Sequence, residues 1–226
     1  MTRRLRRECP WDREQDERSI VAHTVEEAYE LADAAGRGDD AKLLDELGDV
    51  LFQVYFLALL LEERSSGSLA EVAEAMIAKL VRRHPHVFGD AEARTAGEVL
   101  TNWDRIKREV EGRGADEPFA DVPENLPGLL YARKLLRRAA SAGLAGPAED
   151  AAAALASAGT ELEALTAAAG AGAGGGPTAD PAEREALERR FGELLLAIVD
   201  AARQLRVDPE LALRAAAERL AAAARD

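Results

Sequence analysis

Apolar residues recur at helical spacing along most of the chain, and capping patterns mark where the helices begin. Ser or Thr followed three residues later by Glu occurs at Thr24, Ser68 and Thr95, each time before a periodic apolar segment. Glycines and a proline follow these segments, as is typical of helix ends. The pattern predicts helices over 25–35, 40–64, 69–83, 96–110, 127–142, 181–205 and 209–225, with room for a shorter one before Thr24.

Composition agrees with an all-α fold. Of the 226 residues, 47% are apolar and only 4% are aromatic, and the abundant Ala, Leu, Glu and Arg are good helix formers. The segment 43–61 is interrupted by charges, so it predicts the central helix of a bundle and no membrane span. The stretch 167–176 is Ala- and Gly-rich and predicts a flexible loop.

Charge and cysteine usage narrow the class of protein. The formal net charge of −13 argues against a nucleic-acid partner, because backbone binding needs an excess of cations. A free nucleotide is still possible if metal ions or a few local cations hold its phosphates. The basic start is not followed by an apolar segment, and the lone Cys9 fits a reducing compartment, so we expect a cytoplasmic protein without a membrane anchor.

Two acidic pairs are the strongest candidates for chemistry. Glu27 and Glu30 are three residues apart on one predicted helix, and Glu46 and Asp49 are three apart on the next, so each pair shares a helix face. A short Gly-containing turn joins the helices, which should pack antiparallel and aim four carboxylates at a common point. Ligation by oxygen alone selects a hard cation, with Mg²⁺ first and Mn²⁺ as a substitute.

The alternative is that these acids are ordinary solvated helix positions, with Glu27 serving only to cap the helix at Thr24. Two features weaken it. The helix around Glu46 is heavily apolar, and Gly48 sits in its middle, where glycine costs about 1 kcal/mol against alanine. A glycine in that position predicts the close approach of another group.

The acidic pairs belong to a longer pattern that closely resembles the MazG nucleotide pyrophosphohydrolases. The resemblance is dense from residue 9 to about 112 and weak beyond. It rests on motifs that occur in the family's order, namely Cys9-Pro-Trp-Asp12, Glu26-Glu27-x-x-Glu30, Glu46-Leu-Gly-Asp49, Lys79-Leu-Val-Arg-Arg83-His-Pro-His-Val-Phe and Asn102-Trp103-Asp-Arg-Ile-Lys107.

The resemblance implies an all-α dimer that hydrolyses a nucleoside triphosphate to the monophosphate and pyrophosphate, with broad or house-cleaning specificity. It assigns Mg²⁺ to the four acids, and contacts with phosphate and nucleotide to Lys79, Arg83, Trp103 and Lys107. Lys79 and Arg83 are four residues apart on one predicted helix, and Trp103 and Lys107 are four apart on another, so the members of each pair share a helix face. The alternatives are a favourable cationic last turn for Lys79 and Arg83, and core packing for Trp103. We interpret His84-Pro-His86 as a helix stop.

The second half resembles an eroded copy of the first. Arg190-Phe-Gly-Glu193 echoes Glu46-Leu-Gly-Asp49, but a cation replaces the first acid. We therefore predict a catalytic, four-helix-bundle-like domain at 1–120 and a degenerate, non-catalytic helical repeat at 121–226. Two rival functions are a helical dimer that binds nucleotides or proteins without turnover, and a phosphatase that releases inorganic phosphate.

Overall fold

The computed structural model describes residues 1–112, 117–120, 122–144, 146, 150–171 and 181–224, and all regular structure in these residues is helical. This confirms the predicted all-α class. The helices are α1 (Thr2–Glu8), α2 (Pro10–Glu14), α3 (Glu17–Arg37), α4 (Asp40–Glu63), α5 (Leu69–Arg83), α6 (Pro85–Phe88), α7 (Ala96–Glu109), α8 (Gly128–Ser141), α9 (Ala151–Ala171), α10 (Pro181–Gln204) and α11 (Pro209–Ala223).

The chain forms two compact units, Met1–Val99 and Leu100–Asp226, so the boundary falls inside α7. The predicted domains 1–120 and 121–226, with catalysis assigned to the first, stay a prediction. Among the described helices, none combines the length and the apolar character that a bilayer crossing requires.

Most predicted helix starts agree with the structure, but the one at Thr24 was wrong. At α5, the Ser68 hydroxyl accepts a hydrogen bond from the Glu71 amide, as the capping pattern predicts. Near residue 24 the chain is already helical, because Asp16 caps α3 and exchanges hydrogen bonds with Ser19. The Thr24 hydroxyl donates to the Ile20 carbonyl within the helix.

In the first unit, α3 and α4 form an antiparallel pair joined by a tight turn. Gly38 ends α3 in the left-handed conformation with φ of 68°, which glycine adopts without steric cost. Asp39 then caps α4 by accepting from the Lys42 amide. This turn sets the relative register of the two helices that carry the acidic pairs.

The core of this pair lies at the end away from the turn. Ile20 and Phe56 are fully buried, and Leu60 packs with them. Full burial of such side chains contributes roughly 1.5–3 kcal/mol each. Phe52 meets Phe56 edge to face with ring centroids 5.9 Å apart, a favourable aromatic geometry. The α3–α4 pair is therefore held by apolar packing at one end and is free to carry polar groups at the other.

Charged residues attach α1 to the far end of α4. Arg3 donates two hydrogen bonds to the Glu62 carboxylate, at 2.6 and 2.8 Å. Arg6 pairs with Glu63 at 3.0 Å and also donates to the Asp12 carbonyl. The Arg6–Glu63 pair is bidentate, because Nε and Nη2 of Arg6 donate to different oxygens of Glu63, and such a pair fixes orientation as well as distance.

The second unit has its own helical pair, α9 and α10, with a core of Ala158, Leu165, Leu194 and Ala197. The sequence patterns did not predict α9, whose Ala-rich segment lacks a polar–apolar period. The expected loop at 167–176 was wrong for 167–171, where the helix continues, and 172–176 lie outside the described residues. Helices α3, α4 and α5 contain 21, 24 and 15 residues, and so do α9, α10 and α11.

Candidate metal centre

Three of the four predicted acidic ligands come together in the first unit. One carboxylate oxygen each of Glu27, Glu46 and Asp49 lies within 4.8 Å of the other two. Glu27 comes from α3, and Glu46 and Asp49 come from successive turns of α4. The spacing of three residues and the tight turn at Gly38 thus produce the convergence that the sequence predicts.

Glu46 is the most unusual member, because its side chain is only 1% exposed. Apart from a contact with Lys42, its oxygens have no hydrogen-bond partner among the described residues. A buried carboxylate with so little compensation is costly. The site therefore fits a cation, which would neutralise the charge and occupy the free oxygen lone pairs.

A lysine supplies part of that compensation. The ammonium of Lys42 contacts one oxygen of Glu46 and lies 3.7 Å from Asp45 and 3.9 Å from Glu30. The hydrogen bond to Glu46 raises the pKa of Lys42 above its ordinary value. The sequence analysis did not assign Lys42 a role, although its position four residues before Glu46 was a signal for an ion pair.

Glu27 shows that the cluster is electrostatically strained. Burial, followed by repulsion from Asp49, Glu30 and Glu46, raises the pKa of Glu27 above that of an ordinary glutamate. Burial and like charges both disfavour the ionised form. A divalent cation would reverse this effect, because it attracts all of these carboxylates at once.

Glu30 lies at the edge of the cluster. Its side chain is exposed and lies outside the group of three carboxylates that meet within 4.8 Å, and one of its oxygens lies 3.9 Å from the Lys42 ammonium. It still contributes to the repulsion felt by Glu27. The four predicted ligands are thus three converging carboxylates with a fourth beside them.

The predicted phosphate- and nucleotide-contacting residues lie on other helices. Lys79 and Arg83 are one turn apart at the end of α5, in the first unit. Trp103 and Lys107 are one turn apart on α7, where the Lys107 ammonium lies 6.0 Å from the centre of the Trp103 indole ring. That distance is within the range of a cation–π contact.

Gly48 does not approach any other part of the described structure. A Cβ built at this position would meet nothing within 4 Å, so no group of the described chain makes the expected close approach, and an approach by a ligand or a second copy stays a prediction. Gly48 instead lies in an exposed apolar stripe on α4, which is formed by Leu44, Leu47, Leu51 and Val54. Leu44 is 74% exposed.

Among its described residues, the second unit has no counterpart of this cluster. In the described ranges, Glu27, Glu46 and Asp49 are the one grouping of three or more potential metal ligands. Arg190 and Glu193, the positions that echo Glu46 and Asp49, are exposed on α10. The buried acid of α10 is Asp200, which pairs with Arg203 at 2.7 Å.

Taken together, the fold and the site define an all-α protein with a carboxylate centre suited to a hard divalent cation. Residues 15–88 match the model of the MazG nucleotide pyrophosphohydrolase domain, a range that contains all four acids.

Comparison with related sequences agrees with this match to the MazG domain. The chain is 36% identical to a nucleoside triphosphate pyrophosphohydrolase of Escherichia coli (strain K12) over 93% of its own length and 77% of the relative. It is 35% identical to the nucleoside triphosphate pyrophosphohydrolase/pyrophosphatase MazG of Thermotoga maritima over 92% and 74%. A nucleoside triphosphate pyrophosphohydrolase of Mycolicibacterium smegmatis is 38% identical over 68% and 48%. The chain belongs to the MazG family of nucleotide pyrophosphohydrolases, which confirms the predicted family and enzyme class.

Proposed function

We propose that the chain hydrolyses nucleoside triphosphates to the monophosphate and pyrophosphate, using Mg²⁺, or Mn²⁺ in its place, at the carboxylate cluster of the first unit. The observation that carries this proposal is the convergence of the buried Glu46 carboxylate with those of Glu27 and Asp49, where Lys42 is the only cation among the described residues that contacts Glu46. A site built for protein stability alone would pair each buried acid with donors and would not bring two further acids beside it. The relatives from Escherichia coli and Thermotoga maritima are named for the same reaction.

The side chains divide the work between metal and substrate. Glu27, Glu46 and Asp49 would hold the ion, with Glu30 reaching it by a change of rotamer or through water. A bound Mg²⁺ would supply Lewis-acid polarisation of phosphate oxygens and would help to activate and orient a water for attack. Lys79 and Arg83 would bind phosphate oxygens, and arginine offers two parallel donors for this. Trp103 and Lys107 would contact the nucleotide.

Product analysis separates this reaction from its rivals. Incubation of the full chain with Mg²⁺ and a panel of ordinary, deaminated and oxidised nucleoside triphosphates should release pyrophosphate and the monophosphate. Release of inorganic phosphate and the diphosphate would indicate a phosphatase instead. Binding without any turnover across the panel would favour the non-catalytic binding dimer. Preferential turnover of the damaged nucleotides would support a house-cleaning role.

We also propose that the chain forms a homodimer through the first unit. The support is the exposed apolar stripe on α4, in which Gly48 is flanked by Leu44, Leu47 and Leu51. A stripe of this kind is unusual on a monomer surface, and a glycine in its centre lets the backbone of a second copy come close. Light scattering of the full chain tests this. The Leu47→Glu variant should be a monomer, whereas the exposed Glu74→Gln control should stay dimeric.

A further inference from the structure

A cleft of about 540 Å³ in the second unit is lined by an unusual concentration of positive charge. No acidic residue of the described structure is among its lining residues. The cationic side chains that line it are Arg133, Lys134, Arg137, Arg203 and Arg206. In a protein with a net charge of −13, five cations around one cleft need an explanation beyond surface solubility.

Three of the cations lie on one face of α8. Leu130, Arg133, Lys134 and Arg137 lie at positions i, i+3, i+4 and i+7 of α8, and this spacing places them on one stripe. Helix α8 packs against both α10 and α11. The stripe therefore brings three cations to one side of the cleft, with Arg133 and Lys134 half-buried and Arg137 exposed, and like charges this close repel one another unless an anion lies between them.

Two of the arginines are held in place by acids that do not line the cleft. Asp200 is fully buried and accepts from Arg203 at 2.7 Å, and Asp208, the N-cap of α11, pairs with Arg133 at 2.6 Å. Lys134, Arg137 and Arg206 have no ion pair with any acid of the described structure. The cleft thus combines fixed guanidinium groups with cations that are available to a ligand.

Arg206 is held in a backbone conformation that arginine rarely adopts. Its φ is 60°, in the left-handed region, and the Val207 amide donates to the Ala202 carbonyl at 2.8 Å to close the end of α10. The ends of α3 and α8 use Gly38 and Gly143 for this conformation. An arginine in place of glycine costs stability, and strain of this kind is commonly retained for function.

We propose that this cleft binds a small molecule with two or more linked phosphates, without a divalent metal. Its volume lies in the range of small-ligand sites, and arginine forks match phosphate oxygens. Apolar lining from Leu126, Leu130 and Val207 gives a nucleoside a surface to pack against. The site is separate from the carboxylate cluster and does not rest on the proposed reaction. Its ligand is therefore a nucleotide or free pyrophosphate, which share this chemistry.

Calorimetry on the full chain tests the proposal. The experiment uses the Glu46→Gln background in EDTA at physiological salt, so that neither turnover nor metal-held phosphate contributes. Inorganic pyrophosphate and ATP are titrated separately, and both are expected to bind saturably. Tighter binding of ATP than of pyrophosphate would indicate that the apolar lining contacts a nucleoside. Equal affinities would indicate that the site recognises the linked phosphates alone. Either result supports the proposal that the cleft binds linked phosphates.

Matched variants locate the binding. Lys134→Gln/Arg137→Gln should weaken affinity by about tenfold or more, as expected for the loss of charged hydrogen bonds. Arg189→Gln/Arg219→Gln removes the same charge from exposed positions outside the cleft and should change affinity by less than about twofold. Arg206→Gly should weaken binding while leaving the melting temperature unchanged or higher, which distinguishes it from a misfolded variant. The absence of saturable binding, or equal weakening by both double variants, would overturn the proposal.

Discussion

The two halves of the chain each bury one carboxylate on their longest helix, but they treat it in opposite ways. In α10, Asp200 is fully buried and receives hydrogen bonds from Arg203 and Gln204 at 2.8 and 3.2 Å. In α4, Glu46 is equally buried, and although Lys42 contacts one of its oxygens, Glu27 and Asp49 bring two further negative charges beside it. A buried charge supplied with donors is a structural feature, whereas one surrounded by like charge requires a ligand.

The helices themselves do not distinguish the halves, since both contain helices of 21, 24 and 15 residues in the same order. The difference lies in which side chains converge. The first half gathers anions on α3 and α4, and the second half gathers cations on α8 and α10. Similar helix frameworks can therefore present sites of opposite charge.

The largest expected effect is the loss of hydrolysis when the buried acid of α4 is neutralised. Glu46→Gln should lower kcat/KM by at least about a hundredfold, because a metal ligand is removed. Its melting temperature in EDTA should be unchanged or higher, because repulsion within the cluster is relieved. The control is Glu193→Gln, at the echoing position of α10, which should retain full activity. Wild-type turnover by Glu46→Gln would contradict the site assignment.

A smaller loss is expected at the cationic pair of α5. Lys79→Ala and Arg83→Ala should each reduce kcat/KM by the equivalent of about 1.5–3 kcal/mol if each side chain makes a charged hydrogen bond to phosphate. Arg82→Ala, one position away on a different helix face, is the matched control. If the steady-state kinetics are unchanged in both variants, Lys79 and Arg83 do not contact the substrate, and they serve only as favourable cations in the last turn of α5.

The counterpart experiment in the second half should change stability and leave catalysis intact. Asp200→Asn weakens the buried contact with Arg203 and should lower the free energy of unfolding by roughly 1–3 kcal/mol. Chemical denaturation measures this, and a parallel assay should give an unchanged kcat per folded molecule. A variant with normal stability but impaired hydrolysis would reverse the roles that we assign to the two buried acids.

The smallest predicted effect is a pH dependence at Glu27. Its folded-state pKa is raised, so its contribution to stability is present below the unfolded-state pKa and is lost as the pH rises through the folded-state value. In EDTA, the melting temperature of the wild type should therefore fall as the pH rises over this range, relative to the melting temperature of Glu27→Gln. With Mg²⁺ present, affinity for the ion should rise over the same range, because protons and metal compete for the carboxylate. Identical pH profiles for the two proteins would contradict the electrostatic account.

The sequence predicted most helices and the acidic pairs, because both depend on local spacing. The start of α3 was misplaced because the Thr24 pattern looks like a cap, while Asp16 and Ser19 provide the real one eight residues earlier. Helix α9 was missed because its alanines give no polar–apolar period, and its position depends on packing against α10.

Parts of the site could not be predicted because they depend on tertiary placement. The sequence indicated that Lys134 and Arg137 share a helix, but Arg203 and Arg206 join them only through the packing of α10 against α8. Lys42 was visible as a neighbour of Glu46, yet its simultaneous approach to Glu30 requires the turn at Gly38. Gly48 indicated a close approach, and the structure leaves that position open to a second copy.

Binding of Mn²⁺ to the full chain, followed by electron paramagnetic resonance, tests the central claim most directly. The wild-type protein should bind Mn²⁺ saturably, Mg²⁺ should displace it, and Glu193→Gln should bind it equally well. The Glu46→Gln/Asp49→Asn variant should lose this binding while keeping its helical circular dichroism. Wild-type Mn²⁺ affinity in that double variant would show that the ion is held elsewhere, and the assignment of the metal centre to α3 and α4 would be wrong.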